Sequence, residues 1–335
     1  MQRFFLMRFL FLAILMATPM TGQAWWLWGA EKPYEETTSN KGWHPFLWAK
    51  RSDPAAQLDY AGQLEQEGRI KKALKQYRAL VILWPESDEA PVAQLQYARL
   101  LDQRKKYLKA FDEYQFLFDR YTGRFPYNEI LDRQFEIARM VMDLKKGKFL
   151  FLPGFSAPER ATPLFEKIIK NGPAGPHAPE AQYLIGVAHE ANYEYEEAVV
   201  AFMATQHRYP ESSSAEKAAF GQVRCYYLLA QEGVHNEEAL ENAWAAVTLF
   251  LNAYPASEDK ATAASYRNVL YGQRAKAAYD KAVFYDRLAK KPKSALIAYE
   301  TMVGLFPNSD WTALAQARID ELKQIVEPDN EKTEN

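Results

Sequence analysis

Residue types that commonly carry chemistry are few in this sequence and widely spaced. A zinc-binding helix carries a second histidine one turn after the first, and His189-Glu190 is followed by none. A hydrogen-bonded packing histidine is the simpler interpretation of His189. Neither a glycine-rich phosphate-binding loop nor the nucleophile elbow of a hydrolase occurs, so we predict no enzyme and no catalytic, cofactor-binding or metal site. The histidines are His44, His177, His189, His207 and His235.

The single cysteine, Cys225, is either a reactive thiol or a buried one. A reactive thiol needs electropositive neighbours that stabilise the thiolate, and Arg224 is the only adjacent candidate. Tyr226 and Leu228 favour burial in an apolar helix. With one cysteine in 335 residues, no intramolecular disulfide can form. A formal net charge of -2 argues against nucleic acid as a partner.

A repeated segment predicts the elements that would position a binding surface. Residues 54–80 and 91–117 align without a gap at an offset of 37, with 12 identities in 27 positions. A period in the mid-thirties, with two helical patterns in each unit, indicates a solenoid of helix pairs. Stacked pairs bury each other's apolar faces and form an extended surface that suits a binding partner.

Further units follow at looser spacing, and we predict an all-α fold without strands between Asp53 and Ile325. The third unit carries an insertion at about 145–159, and the fifth carries one at about 230–238. We divide the solenoid into repeats one to three, at 53–172, and repeats four to six with a capping helix, at 173–326. The third to sixth units are placed at about 128–171, 179–212, 214–257 and 276–309, and the capping helix at 311–325.

Residues 1–24 are interpreted as a secretory signal. Arg3 and Arg8 give a positive start, an apolar stretch follows, and small residues precede a cleavage site after Ala24. A retained membrane anchor is the alternative, although the apolar stretch between Arg8 and Pro19 is short for a full span. An exported helical protein without disulfides suits a bacterial periplasm.

Residues 25–52 contain five of the eight tryptophans and lack helical periodicity, so we predict an extended arm. The indole rings could cover the apolar end of the first repeat or contact lipid headgroups, and both alternatives stay open. Because no cysteine near the signal can carry a lipid, we expect peripheral association with the outer membrane. The polar tail at 327–335 is predicted to be disordered.

The units resemble tetratricopeptide repeats. That pattern places a small residue on the first helix, an alanine twelve residues on, an aromatic four later and a proline at the end. The fourth unit supplies these as Gly186, Ala198, Phe202 and Pro210. The resemblance implies a right-handed solenoid of about six helix pairs with a C-terminal capping helix, and it specifies a scaffold without specifying an activity.

A narrower resemblance is to the BamD family, the repeat subunit of the outer-membrane β-barrel assembly machine. The Tyr-Pro endings at 209–212 and 254–257 are similar to that family, as is the last unit with Ala295, Tyr299 and Pro307. The resemblance implies a non-enzymatic scaffold with no cofactor. Its partners would be unfolded outer-membrane proteins at the N-terminal repeats and the barrel-assembly subunit at the C-terminal repeats.

The chain departs from the BamD pattern because the lipid-bearing cysteine is missing. A general periplasmic adaptor for envelope or cell-division complexes is therefore kept as the alternative function. Neither function requires a catalytic residue.

Helical spacing predicts which residues of the first helices face a peptide-binding groove. Packing inside the repeat is the alternative for Leu58 and Leu95, and plain solvent exposure is the alternative for Arg99 and Gln103. The predicted groove residues are Leu58, Gly62, Gln66, Leu95, Arg99 and Gln103.

Two further segments could contact a partner. The apolar insertion with Phe149, Phe151 and Phe155 either folds back on the solenoid or binds a partner. The basic run Arg104-Lys105-Lys106, at the turn of the second repeat, is either a solvated helix end or a partner-facing patch.

Overall fold

The protein is described here by a computed structural model, which covers residues 49–143, 145–146, 155–156, 158–232 and 237–331. Two units are distinguished, Met1–Ala49 and Lys50–Asn335. The predicted signal and nearly all of the tryptophan-rich arm lie outside the described residues, so the predictions for them stay predictions. Within the described residues, no helix has the length and apolar character needed to cross a membrane.

The described part of the chain contains thirteen α-helices. Successive helices pack against each other as six pairs, from α1 with α2 to α11 with α12, and α13 packs on α12 as a cap. This confirms the predicted all-α solenoid of helix pairs. The helices are α1 Pro54–Gln66, α2 Ile70–Leu83, α3 Glu89–Gln103, α4 Tyr107–Arg120, α5 Tyr127–Asp143, α6 Thr162–Asn171, α7 Ala178–Ala191, α8 Tyr195–Arg208, α9 Ser213–Glu232, α10 Glu237–Ala253, α11 Lys260–Val283, α12 Pro292–Leu305 and α13 Thr312–Glu331.

The first repeat begins as its sequence predicts. The Asp53 side chain accepts a hydrogen bond from the backbone N–H of Ala56 at 3.0 Å, and Pro54 occupies the first turn. Ala61 on α1 and Ala73 on α2 are fully buried where the two helices meet. A larger side chain at either position would push the pair apart.

A buried glutamine joins the two helices in each of the first two pairs. Gln57 Nε2 on α1 donates to the backbone oxygen and to Oε1 of Gln76 on α2, at 3.2 and 2.9 Å. Gln94 on α3 repeats the arrangement with the backbone oxygen and Oε2 of Glu113, at 2.9 and 2.8 Å. These bonds satisfy amides that would otherwise be costly to bury. They also explain why the residue recurs at the repeat offset.

The insertion in the third repeat corrects one prediction. Strands β1 Lys145–Lys146 and β2 Phe155–Ser156 form a short antiparallel ladder, in which Lys145 pairs with Ser156. The expectation of no strand is wrong here, because the backbone N–H and C=O groups at 145–146 and 155–156 lie close enough to pair with each other. A 3₁₀ turn at Pro158–Ala161 then leads into α6.

The sixth repeat starts earlier than predicted. Its first helix, α11, runs from Lys260 and continues into a π-helical turn at Phe284–Leu288. In the second repeat Asp102 lies 12 residues before Tyr114, whose hydroxyl is within hydrogen-bond distance of it. In the sixth repeat the corresponding residues, Asp286 and Tyr299, are 13 residues apart. The π turn absorbs this extra residue.

The C-terminal helix also runs further than the sequence pattern indicated. The backbone of α13 is helical to Glu331, so the start of the predicted disordered tail at 327 is too early. Polar composition led to that boundary, but a polar segment can continue a helix that is already nucleated and packed.

Candidate functional site

The first helices of neighbouring repeats lie side by side. Contacts join α1 to α3, α7 to α9 and α9 to α11. Between α3 and α5 they leave a cavity of about 390 Å³, with α4 contributing Tyr114. The cavity is lined by Arg99, Asp102, Gln103, Tyr114, Glu129, Ile130, Asp132, Arg133 and Glu136.

Two of the predicted groove residues meet at this cavity. Arg99 lies one turn before Gln103 on α3, and both side chains line it. The Arg99 guanidinium donates from Nη2 to Glu129 Oε1 on α5 at 2.5 Å. Arg99 therefore also bridges the second and third repeats, a role that the sequence did not reveal.

An ion pair forms the inner wall of the cavity. Arg133 on α5 donates from Nε and Nη2 to the Asp102 carboxylate at 2.6 and 2.7 Å. These hydrogen bonds raise the pKa of the Arg133 guanidinium. Burial raises the pKa of the neighbouring Tyr114 phenol, whose hydroxyl lies 3.5 Å from Asp102. Sequence reasoning missed both charged residues, although Asp102 precedes Tyr114 by the 12 residues that separate Glu65 from Tyr77.

The cavity presents mainly hydrogen-bond acceptors. Glu129, Asp132 and Glu136 are exposed at its mouth, where they contact Arg99, His177 and Arg133 respectively. Each carboxylate has about four lone-pair sites and keeps acceptor capacity, whereas both guanidiniums are engaged in ion pairs. Such a surface suits a ligand that supplies donors, for example the backbone N–H groups of an extended peptide or a basic side chain. The arrangement favours binding over bond-making chemistry.

The other predicted groove residues are placed differently. Leu95 is 8% exposed and lies in the core, so its assignment to the groove is wrong: its position on α3 shares the buried stripe with Ala98. Leu58 is half-buried against the same core. Gly62 is half-buried and Gln66 is exposed, and neither lines the cavity beside α3. Their role in binding stays a prediction.

The predicted aromatic patch falls mostly outside the described residues. Phe149 and Phe151 lie there, and only the backbone of Phe155 is described, as part of β2. Whether this segment contacts a partner stays a prediction.

Cys225 and His189, considered above as chemically active residues, both lie in surroundings typical of residues that stabilise a fold. Cys225 is fully buried, and burial raises the pKa of its thiol to about 12. The neighbouring Arg224 is bound to Glu190 instead of activating the thiol. His189 Nδ1 lies 2.7 Å from a Glu194 carboxylate oxygen, which accounts for it as a hydrogen-bonded residue.

A second cavity, of about 570 Å³, lies between α10 and α12 above α11, and its lining is largely apolar. Leu240, Ala277 and Leu305 contribute to it, and Arg274 closes one rim through a bidentate pair with Glu241 at 2.7 and 2.9 Å. The Arg274 guanidinium also lies 4.6 Å from the centre of the Trp244 ring. The sequence pattern begins the sixth repeat only at about residue 276, so it predicts no helix over 260–275 and misses Arg274 at this rim.

The C-terminal repeats match a known family. The sequence model of the family described as "YfiO: Outer membrane lipoprotein", which is the BamD family, matches residues 176–328, or α7 to α13. The chain is a tetratricopeptide-repeat protein that resembles the BamD family. The match covers just under half of the chain and includes the apolar cavity above α11.

Solved structures of repeat proteins resemble this chain only weakly. The C-terminal part of a tetratricopeptide-repeat protein from Cytophaga hutchinsonii is 17% identical, with 79% of this chain and 88% of that chain covered and a TM-score of 0.33. A tetratricopeptide-repeat protein from Parabacteroides merdae is 11% identical, with 80% and 98% covered and a TM-score of 0.30. Similarity at these TM-scores gives no information about function. No curated protein matches the chain.

Proposed function

We propose that this protein is a non-enzymatic periplasmic scaffold in the assembly of outer-membrane β-barrel proteins. A repeat scaffold for protein–protein interaction is what the fold and the family match support directly. The more specific role rests on one observation, the match of residues 176–328 to an outer membrane lipoprotein family.

In this proposal the C-terminal repeats hold the barrel-assembly subunit. They carry the family match, and they carry the apolar cavity above α11. Leu305 on α12 is 64% exposed at the edge of that cavity. An exposed apolar side chain beside an apolar recess is typical of a surface that a partner covers.

The N-terminal repeats would hold unfolded segments of client proteins. The cavity between α3 and α5 offers exposed carboxylates and the Gln103 amide to an extended chain. A segment without secondary structure has free backbone N–H groups, which such acceptors can satisfy. This is a weak, reversible mode of binding, as suits a client that must be released.

Co-purification from detergent-solubilised envelopes of the native host tests the proposal. We expect the barrel-assembly subunit to be recovered with the tagged full chain. A matched preparation carrying Leu305→Glu should lose that subunit, because a carboxylate would be buried in an apolar contact. Recovery of cell-division or peptidoglycan factors in place of the barrel-assembly subunit would contradict the proposal and favour the adaptor function.

A further inference from the structure

Basic side chains surround the turn between the two helices of the second repeat. A cavity of about 220 Å³ is lined there by Lys105, Lys106 and Lys109, and Arg160 of the 3₁₀ turn faces them. Among the described residues, none of these cations makes an ion pair, and no carboxylate lines the cavity. Arg104 precedes the run and is exposed. Apolar and aromatic residues complete the lining, namely Tyr107, Leu108 and Val141.

The first repeat shows the same turn with different chemistry. Gly68 has a φ of +72° and Lys105, at the repeat offset, has a φ of +57°. In both turns the residue donates its N–H to the carbonyl three residues earlier, at 2.9 Å to Glu65 and at 2.7 Å to Asp102. Glycine adopts this left-handed conformation without cost, whereas a lysine pays a steric penalty. The second repeat therefore has a sterically unfavourable backbone conformation at Lys105, together with a positive charge that the first repeat lacks at this position.

The charges of the two turns differ as well. In the first repeat, Glu67 neutralises Arg69 through an ion pair of 2.8 Å. In the second repeat the position of Glu67 is taken by Arg104, so the turn reads Arg-Lys-Lys. Lys106 and Lys109 lie at the N-terminus of α4, where positive charge is unfavourable, whereas Arg104 caps the C-terminus of α3, where it is favourable. An anion bound here would relieve the repulsion between them.

The arrangement fits several anions in one plane better than a single enclosed one. Lys105, Lys106 and Lys109 are exposed side by side instead of converging in a closed pocket. Exposed lysines and arginines clustered on one surface are typical of proteins that lie on an anionic membrane.

We propose that this basic turn, defined as Arg104, Lys105, Lys106, Lys109 and Arg160, binds the headgroups of anionic phospholipids on a membrane surface. This contact supplies a peripheral attachment to the membrane. It involves no protein partner, so it is independent of the proposed role in barrel assembly.

The test transplants the turn of the first repeat into the second. The full chain with Arg104→Glu, Lys105→Gly and Lys106→Arg carries Glu-Gly-Arg, which this fold already accommodates at residues 67–69. Both proteins are sedimented with phosphatidylcholine vesicles that contain no or about 30% phosphatidylglycerol. The readout is the ratio of the two partition coefficients, in which any contribution common to both kinds of vesicle cancels.

We expect this ratio to fall about a hundredfold in the transplanted variant, because it loses two cations and gains one carboxylate, and each of these three charges contributes about fivefold near an anionic surface. The ratio for the unaltered chain should also fall steeply with added salt. Two control variants should keep it unchanged. Arg104→Lys with Lys106→Arg retains all charges, and Tyr193→Gly relieves the equivalent left-handed position, at φ +64°, without removing a cation.

Four results would overturn the proposal. The first is an unaltered ratio in the transplanted variant, with folding verified by circular dichroism. The second is equal sedimentation of the original chain with neutral and anionic vesicles. The third is displacement from vesicles by inorganic phosphate beyond that by chloride at the same ionic strength, which would indicate a single-anion pocket. The fourth is equally tight, turn-dependent binding to duplex DNA, which would indicate a general polyanion site.

Discussion

Phe202 is held between two glycines, and this contact sets how closely three helices approach. A Cβ atom built on Gly186 of α7 would lie 2.5 Å from the Phe202 ring, and one on Gly221 of α9 would lie 2.7 Å from it. Both distances are well inside van der Waals contact. The glycine in the tetratricopeptide pattern therefore makes room for the aromatic residue of the same repeat.

Gly186→Ala should destabilise the fold by about 1–2 kcal/mol, because the overpacking penalty exceeds the gain in helix propensity. The matched control is Gly272→Ala on α11, where an added Cβ meets nothing within 4 Å. That substitution should stabilise the fold by about 1 kcal/mol. Urea unfolding measures both changes, and changes of the same sign would contradict the packing of Phe202 described above.

A buried carboxylate near the C-terminus makes stability depend on pH. The Asp286 side chain is 6% exposed and accepts hydrogen bonds from Arg318 Nε and Nη2 at 2.7 and 2.8 Å. These bonds hold the pKa of the Asp286 carboxyl below its ordinary value.

Because the folded-state pKa of Asp286 is lowered, its contribution to stability is present above the unfolded pKa of about 3.9 and is lost as the pH falls through the folded value. Asp286→Asn should lower the free energy of unfolding at neutral pH by about 2 kcal/mol. The difference between the variant and the original chain should shrink in acid. Urea titrations between neutral pH and about pH 3 measure it, and a difference that stays constant over that interval would be inconsistent with the ion pair.

Ion pairs between successive first helices fix how the repeats stack. An acidic residue near the end of one first helix binds an arginine on the next, and the same acid lies near a tyrosine of its own repeat in the second and sixth repeats. These bridges set the alignment of neighbouring units, which apolar packing alone leaves loosely specified. The pairs are Asp102–Arg133, Glu190–Arg224 and Asp286–Arg318, the last with the arginine on α13.

The helix pairs were predictable from the sequence, and the bridges between them were not. Alanines and glutamines recur at an offset of 37 because they pack inside one repeat, where the helix pair keeps their spacing the same from the first repeat to the second. The bridges span 31, 34 and 32 residues, because turns and insertions of different length lie between their partners. For the same reason helical spacing found Arg99 and Gln103 but missed Arg133, which completes their cavity from the next repeat.

The cavity between α3 and α5 can be tested with a labelled peptide from an unfolded outer-membrane protein. Arg99→Gln with Gln103→Ala should weaken its binding about fivefold, or by about 1 kcal/mol, because Gln103 offers an acceptor to the peptide and Arg99 orients the Glu129 carboxylate, which offers another. Fluorescence anisotropy measures the affinity. Stability should change little, because the Arg99–Glu129 pair is largely solvated.

Arg120→Gln provides the matched control for the peptide experiment. Arg120 makes a comparable exposed ion pair with Glu86 at 3.0 Å, and it does not line the cavity. Its loss should leave the affinity unchanged. Equal weakening in the control and the double variant would show that the peptide responds to net charge and does not occupy this cavity.

Taken as one molecule, the described repeats carry different surfaces in different parts. Repeats two and three hold the acceptor-rich cavity and the basic turn, while repeats five and six hold the apolar cavity within the family match. A solenoid permits this division because each repeat contacts mainly its neighbours, so one part can change without disturbing another. The proposed contacts with a client, a membrane and an assembly partner would require such separate surfaces.

Site-specific photocrosslinking from α12 in native envelopes tests the proposed docking most directly. A photoreactive amino acid at Leu305, beside the apolar cavity, should crosslink to the barrel-assembly subunit. The same group at Leu249, which is 69% exposed on α10 and lies outside the cavity lining, should not. Crosslinking of that subunit from Leu249 but not from Leu305, or from neither position, would contradict docking of the assembly subunit at these repeats.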